Sequence, residues 1–321
     1  MPIGLGIASS HLGALNFTSA EQFDPYQKVL TRDVPQPLEA ALETPEVLEG
    51  YLSRMPKAFA VLEKKLKEYG TELLIILGGD QQEMFDRSNV PNLMIYTGEA
   101  AWGYNIKGQA GPRPASGPRP TPELREEDLV RLKVDVGTSE WLLDKLVREE
   151  DFDVAVSREQ QHIGPAGRGM PHAFYRPAPW LMPNLDIPVV MIYENTYDPP
   201  SLSAKRCYDL GLTLQKLFAN DPRKIAIYGS GGLSHDPGGY RAGWVDEELD
   251  RWFIEQIETG NGRRTEAMYK FDSHTMRGGT GEIRAWITVA GAMEAVGQRA
   301  VSVDYIPTRH AVTGISWAYW A

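Results

Sequence analysis

The sequence has little of the residue types that build disulfides and nucleic-acid surfaces. Cys207 is the only cysteine in 321 residues, so neither an intrachain disulfide nor a thiolate metal cluster can form. The 33 basic residues are outnumbered by 43 acidic ones, which gives a formal net charge of -10. Proteins that bind nucleic acid or an anionic membrane surface usually carry a basic face. We therefore expect no nucleic-acid partner and no membrane partner.

Long apolar runs are also missing. None approaches the roughly 20 residues that a membrane-spanning helix needs. The segment from Met1 to Ile7 has no basic residue and predicts a first strand rather than a signal peptide. From these absences we expect a cytoplasmic location.

Short apolar runs alternate with amphipathic segments along the chain. Helical spacing of apolar residues predicts helices at 51–69, 123–150 and 283–296. The predicted strands lie at 3–8, 72–77, 92–96, 152–157, 187–193, 224–228 and 301–305. Such alternation is typical of an α/β fold with a central, mostly parallel or mixed sheet flanked by helices. Since no linker separates two cores, we expect one domain over residues 1–321.

One segment has a composition that cannot sustain a regular element. Between Gly103 and Pro122 the sequence Gly-Pro-Arg-Pro occurs twice, at 111–114 and 117–120. We predict a Gly/Pro/Arg-rich loop at about 103–122 that forms a lid or an interface arm, with a partly disordered insertion as the alternative.

A glycine-rich turn follows the strand at 224–228. It reads Gly229-Ser230-Gly231-Gly232-Leu233-Ser234-His235. In open α/β folds ligands bind at the carboxyl edge of the sheet, where such a turn delivers its polar side chains. An ordinary strand-to-helix turn with a capping Ser234 is the alternative.

Other strand ends and one helix start also carry polar side chains. His11 follows the first strand, Asp80-Gln81 follows the strand at 72–77, and Glu282 begins an apolar helix. Two histidines and a carboxylate from distant positions can form a facial triad of the non-haem iron kind. A carboxylate at a helix start can also simply complement the helix dipole.

Three motifs resemble the class III (LigB-type) extradiol ring-cleaving dioxygenases. They are Gly6-Ile7-Ala8-Ser9-Ser10-His11, the glycine-rich turn that ends at His235, and Gly281-Glu282-Ile283-Arg284-Ala285-Trp286. The resemblance covers nearly the whole chain. It implies an α/β fold of that type, Fe(II) as cofactor, an aromatic small-molecule substrate and O2. It also implies a homo-oligomer, because the family often forms dimers or larger assemblies.

The resemblance also implies roles for particular residues. His11 matches the first metal ligand, Glu282 the carboxylate ligand and His235 the catalytic acid/base. His162 lies where the family carries another active-site histidine, and His172 is close to it along the chain. We therefore take His235, His162 and His172 as catalytic candidates.

The second histidine ligand of the family is replaced in this chain. The strand at 72–77 ends Gly78-Gly79-Asp80-Gln81, which places Gln81 at that position. Three interpretations stay open: Gln81 ligates through its carbonyl oxygen, a neighbour completes the shell, or the metal is lost. The candidate neighbours are Asp80, Glu83 and His172. The metal-ligand candidates are then His11, Gln81 and Glu282.

The predicted function is extradiol-type cleavage of a catechol-like aromatic, carboxylated or not, by a non-haem iron oxidoreductase. The alternative is a metal-independent hydrolase, lyase or decarboxylase of an aromatic compound on the same fold, and a third interpretation is a catalytically silent subunit. A guanidinium matches a carboxylate bidentately. Candidate anchors for an acidic substrate are Arg206, Arg241, Arg284 and Arg309.

Overall fold

The most apolar runs of the chain form the centre of one large sheet. The computed structural model describes residues 2–85, 88–105, 125–160, 169–270 and 273–321. The strands within these ranges are β1 (Leu5–Ser9), β2 (Leu73–Gly78), β3 (Leu93–Tyr96), β4 (Ala100–Tyr104), β5 (Leu129–Lys133), β6 (Ala155–Ser157), β7 (Val189–Glu194), β8 (Ile225–Ser230), β9 (Ala300–Thr308) and β10 (Thr313–Trp320). The α-helices are α1 (Phe23–Thr31), α2 (Pro45–Tyr69), α3 (Val136–Arg148), α4 (His172–Tyr175), α5 (Ala178–Leu181), α6 (Ala204–Leu217), α7 (Glu247–Glu258) and α8 (Ile283–Glu294).

Eight strands form the main sheet in the order β6-β3-β7-β2-β8-β1-β10-β9 within the described ranges. The four central strands β7, β2, β8 and β1 are parallel, and antiparallel pairs flank them on both sides. The predicted α/β class with a mixed sheet is therefore confirmed. Because the central strands run in one direction, their carboxyl ends meet at one edge, and their loops can share a site.

Helices cover both faces of this sheet, as its all-apolar central strands require. Along β2 the side chains alternate: Leu74 and Ile76 belong to the core on one face, and Ile75 and Leu77 to the core on the other. Helix α2 packs on the first face, and helices α6 and α8 pack on the second. Burying one such side chain stabilises the fold by about 1.5–3 kcal/mol.

Two predictions of local structure are wrong. The helix predicted at 123–150 is a strand followed by a helix, because residues 129–133 alternate between buried and exposed and pair with β4. Helix α3 begins only after Asp135, whose Oδ1 accepts the N–H of Thr138 at 3.0 Å. The loop predicted from Gly103 begins later, since Gly103 and Tyr104 belong to β4. The rest of that loop, 106–122, lies outside the described residues.

In the part of the chain that the structure describes, every helix is too short or too polar to span a bilayer.

A carboxylate without a full set of partners lies under the face covered by α6 and α8. Glu194 at the end of β7 is fully buried; Oε1 accepts the hydroxyl of Thr288 at 2.6 Å, and Oε2 has no partner among the described residues. Burial raises the pKa of Glu194 from 4.5 to about 7, against smaller opposing effects of Thr288 and Arg284. The folded protein therefore holds this proton more tightly than the unfolded chain does.

The substitution Glu194→Gln is expected to make stability less dependent on pH. The raised pKa stabilises the fold below about pH 4.5, and this contribution is lost as pH rises through about 7. The full shift corresponds to about 3 kcal/mol. Thermal unfolding at about pH 5 and about pH 8 measures the effect. The Glu194→Gln protein should gain in Tm over the natural protein at the higher pH. Parallel curves of Tm against pH for the two proteins would contradict the assignment.

Candidate active site

Five of the six predicted site residues come together at the carboxyl edge of the central strands. His11 follows β1, Gln81 follows β2 and His235 follows β8. Glu282 ends the short 3-10 turn before α8, and His172 begins α4. The sixth, His162, lies outside the described residues.

The Glu282 carboxylate is the centre of this group. Its Oε1 lies 3.4 Å from Nε2 of His11, and its Oε2 lies 3.5 Å from Nε2 of His235. The Gln81 amide donates to Oε1 at 2.8 Å, and the Gly232 N–H donates to Oε2 at 2.9 Å. The carboxylate therefore contacts residues from three separate strand ends.

Glu282 stays ionised although it is only 2% exposed. Burial alone would raise its pKa, but the nearby imidazoles of His11 and His235, together with the N–H of Gly232, outweigh burial and hold the pKa well below its usual range. A buried carboxylate that remains charged is an anionic ligand for a cation.

Ser230 fixes the ring of His11. Nδ1 of His11 lies 3.0 Å from the Ser230 hydroxyl oxygen, and that hydroxyl donates to the Ala173 carbonyl at 2.5 Å. Since the Ser230 hydrogen is used there, the Nδ1–H of His11 donates to Ser230 and Nε2 carries the lone pair. The lone pair then faces Glu282, an arrangement that is repulsive unless a proton or a cation lies between them. Ligating histidines usually donate their other N–H in this way.

His235 has the same arrangement. Its Nδ1–H donates to the Leu233 carbonyl at 2.8 Å, which leaves the Nε2 lone pair on the side of Glu282. The backbone N–H of His235 donates to the Thr280 hydroxyl at 3.1 Å. An imidazole whose free nitrogen lies beside a carboxylate can accept a proton, because the resulting imidazolium is stabilised by the negative charge.

The residues beside Gln81 are engaged elsewhere. The Asp80 carboxylate accepts the backbone N–H groups of Glu83, Met84 and Phe85, and so holds its own loop. Glu83 accepts the backbone N–H and Nδ1–H of His172. Among the described hydrogen bonds and ion pairs, none joins Asp80 or Glu83 to His11 or Glu282.

The donor set fits a metal ion, with one neutral donor. Imidazole and carboxylate are ligands of non-haem iron sites. No group of three or more His, Cys, Asp or Glu among the described residues is arranged to hold a metal by itself. His11 and Glu282 therefore need a third donor. The amide of Gln81 meets Glu282 through its nitrogen, and its carbonyl oxygen is the neutral donor that this site offers.

The four arginines considered as substrate anchors have different partners in the structure. Arg284 donates to two backbone carbonyls and stacks on Tyr269, and Arg206 stacks on Phe152. Arg309 pairs with Glu247. Arg241 lies near the site, because its backbone N–H donates to Asp236, the residue after His235.

Two residues at the site were missed from the sequence. Ser230 orients His11, although its place inside the glycine-rich turn was a usable signal. Arg176 donates from NH1 to the His11 carbonyl at 2.9 Å, and its buried Nε has no partner in the described part of the chain. No motif marked Arg176, because its relation to His11 depends on a contact across 165 residues.

Known proteins resemble this chain over half of its length or more. A gallate dioxygenase from Pseudomonas putida is 28% identical over 52% of this chain, and the match spans 47% of that protein, about half of its length. A 2,3-dihydroxyphenylpropionate/2,3-dihydroxicinnamic acid 1,2-dioxygenase from Burkholderia vietnamiensis is 24% identical over 85% of this chain and 92% of its own. A solved structure of an uncharacterized Escherichia coli K12 protein covers 83% of this chain and 92% of its own, with 11% identity and a TM-score of 0.43, too weak a similarity to bear on function.

The model of the family described as "Catalytic LigB subunit of aromatic ring-opening dioxygenase" matches residues 134–315, more than half of the chain. Members of this family act on aromatic substrates with O2, and the family is generally metal-dependent. The matched range includes His172, His235 and Glu282. The chain therefore belongs to the LigB family of aromatic ring-opening dioxygenases.

Proposed function

We propose that this protein is a non-haem Fe(II) dioxygenase that cleaves a carboxylated catechol-like aromatic by extradiol chemistry. The observation that carries the proposal is the convergence on Glu282, where the Nε2 atoms of His11 and His235 face one ionised carboxylate at 3.4 and 3.5 Å. Such a set needs a cation or protons to be stable. Family membership makes a metal the preferred cation.

His11, Glu282 and the carbonyl oxygen of Gln81 would hold the metal. When bound, Fe(II) supplies Lewis acidity and a path for electrons between an aromatic diol and O2. Nε2 of His235 takes the proton of a substrate hydroxyl and later returns it to the opening ring. Glu282 stabilises the imidazolium in between. The Leu233 carbonyl keeps Nδ1 protonated throughout, so that only Nε2 exchanges the proton.

The substrate class follows from the relatives and from a nearby guanidinium. Gallate and 2,3-dihydroxyphenylpropionate, in the names of two relatives, are both carboxylated aromatics with adjacent ring hydroxyls. Arg176 contacts the backbone of His11 directly and has a buried Nε without a partner in the described residues. We assign Arg176 as the carboxylate anchor, with Arg241 as the second candidate.

Anaerobic reconstitution with Fe(II) tests this function. We expect about one metal per chain and O2 uptake with gallate or 2,3-dihydroxyphenylpropionate, together with a yellow ring-opened product. Turnover that persists in strong chelator without O2 would instead support a metal-independent hydrolase, lyase or decarboxylase. Light scattering on the same sample tests the expected homo-oligomer.

A further inference from the structure

A second carboxylate–imidazole pair lies beside the metal-ligand candidates. Glu83 is 1% exposed and His172 is 7% exposed. One carboxylate oxygen of Glu83 accepts both the backbone N–H of His172 at 3.0 Å and its Nδ1–H at 2.9 Å. The other oxygen lies 3.0 Å from the same Nδ1. Glu83 thus binds both the backbone and the ring of His172.

This contact decides the tautomer of His172. A carboxylate only accepts hydrogen bonds, so Nδ1 must carry the hydrogen and Nε2 the lone pair. Nε2 of His172 has no hydrogen bond to any residue that the structure describes. The ring packs edge-to-face against His11, with 4.7 Å between the ring centroids. A nitrogen able to accept a hydrogen bond is therefore held next to a metal-ligand candidate.

Loop stability alone does not explain the presence of Glu83. Asp80 already ties residues 83–85 together through their backbone N–H groups. A second buried carboxylate close to Asp80 is costly, since burial and like charge both disfavour ionisation. A neutral residue at position 83 would avoid this cost. Glu83 adds two hydrogen bonds to His172 that Asp80 does not make.

We propose that Glu83 is a positioning residue that holds His172 with Nε2 as a hydrogen-bond acceptor beside the His11–Glu282 site. Nε2 accepts a hydrogen bond from a hydroxyl of the aromatic substrate and so orients it, and Nδ1 keeps its hydrogen bond to the carboxylate. The role in turnover rests on the proposed function, whereas the tautomer and its dependence on Glu83 do not.

Long-range ¹H–¹⁵N spectra of metal-free, histidine-labelled protein test the tautomer directly. In the natural protein we expect His172 as the Nδ1–H tautomer. In the Glu83→Ala protein we expect that signal to be lost or to shift toward the Nε2–H form. The Glu83→Gln protein should retain Nδ1–H, because an amide oxygen still accepts one hydrogen bond. A His172→Gln protein assigns the resonance.

Kinetics then connect the tautomer to catalysis. Loss of a partner that orients an active-site imidazole typically costs about 10–100-fold. We expect Glu83→Ala to lower kcat by about that factor with little change in KM, and Glu83→Gln to recover part of the loss. An unchanged tautomer in Glu83→Ala overturns the proposal. So does a shifted tautomer with the kcat of the natural protein.

The chain contains a matched control for this pair. Glu43 accepts the backbone N–H of His310 at 2.9 Å and its Nδ1–H at 2.7 Å, with the same two contacts to one oxygen. The other residues that Glu43 bonds are Thr308 and Arg309, and neither belongs to the site. Glu43→Ala should change the His310 signal and leave kcat unchanged. If both alanine variants lose kcat equally, the effect is one of folding and the proposal is wrong.

If the natural protein shows no O2-dependent turnover but Glu83 controls the tautomer, the proposed function fails and the positioning role of Glu83 stands.

Discussion

Replacement of His235 by alanine is expected to lower kcat by about 10²–10⁴-fold, the contribution of a general acid/base, while metal binding is retained. His235 faces Glu282 at 3.5 Å through Nε2, and its Nδ1–H is fixed by the Leu233 carbonyl. Removal of the imidazole leaves no group in its place to take the substrate proton. Glu282 keeps its contacts with His11, Gln81 and Gly232, so the metal-ligand candidates stay together.

Measurements of O2 uptake and metal content on the same His235→Ala sample separate the two effects. His310→Ala is the matched control, because His310 also pairs with a carboxylate and lies outside the site. We expect that control to keep kcat within about twofold, as for substitutions away from the chemistry. If His235→Ala instead lost the metal and kept turnover per bound metal, His235 would be a ligand and not the acid/base.

Close approaches of backbone to side chain explain why glycines surround His235. A Cβ on Gly231, which has a φ of +134°, would lie 2.6 Å from Cβ of Glu282. A Cβ on Gly279 would lie 2.0 Å from Nε2 of His235. The turn and the segment before α8 can therefore bring Glu282 and His235 together only without side chains at these two positions. The substitution Gly279→Ala would fill the space beside His235.

The sequence was sufficient to predict the elements that local patterns determine. Continuous apolar runs predicted the buried strands β2 and β8, and the strand ends correctly indicated where polar groups would meet. At residues 129–133 the helical interpretation failed, because the alternation that marks a strand was shorter than the helical pattern following it.

The contacts within the site could not be predicted in the same way. The hydrogen bond between Gln81 and Glu282 joins residues 201 apart, and the pair of Glu83 with His172 joins residues 89 apart. Such partners are set by how parallel strands are ordered in the sheet, which no local pattern reveals. The resemblance to a known family supplied candidates for the ligands, but it gave no partner for the one position at which this chain departs, Gln81.

The substitution Glu282→Gln is expected to abolish stoichiometric metal binding and, with it, turnover. The substitution removes the single negative charge that His11 and His235 both face. The natural carboxylate accepts hydrogen bonds from both the Gln81 amide and the Gly232 N–H. The NH2 group of a glutamine can only donate, so it would face one of these two donors without an acceptor between them. The loss of metal affinity should exceed the roughly 10–100-fold that follows removal of an outer partner of a ligand.

Glu194→Gln is the matched control for this change. It replaces another buried glutamate with the same amide, on the face of the sheet covered by α6 and α8. We expect the Glu194→Gln protein to bind metal and turn over substrate like the natural protein. Glu282→Asp keeps the charge on a shorter side chain and should retain part of the metal. Metal titration monitored by calorimetry compares the four proteins without relying on activity. Equal metal affinity of the Glu282→Gln and Glu194→Gln proteins would show that the ion binds elsewhere. His11, Gln81 and Glu282 would then not be its ligands, and the ionised Glu282 would serve His235 directly, as the alternative of metal-independent chemistry on this fold requires.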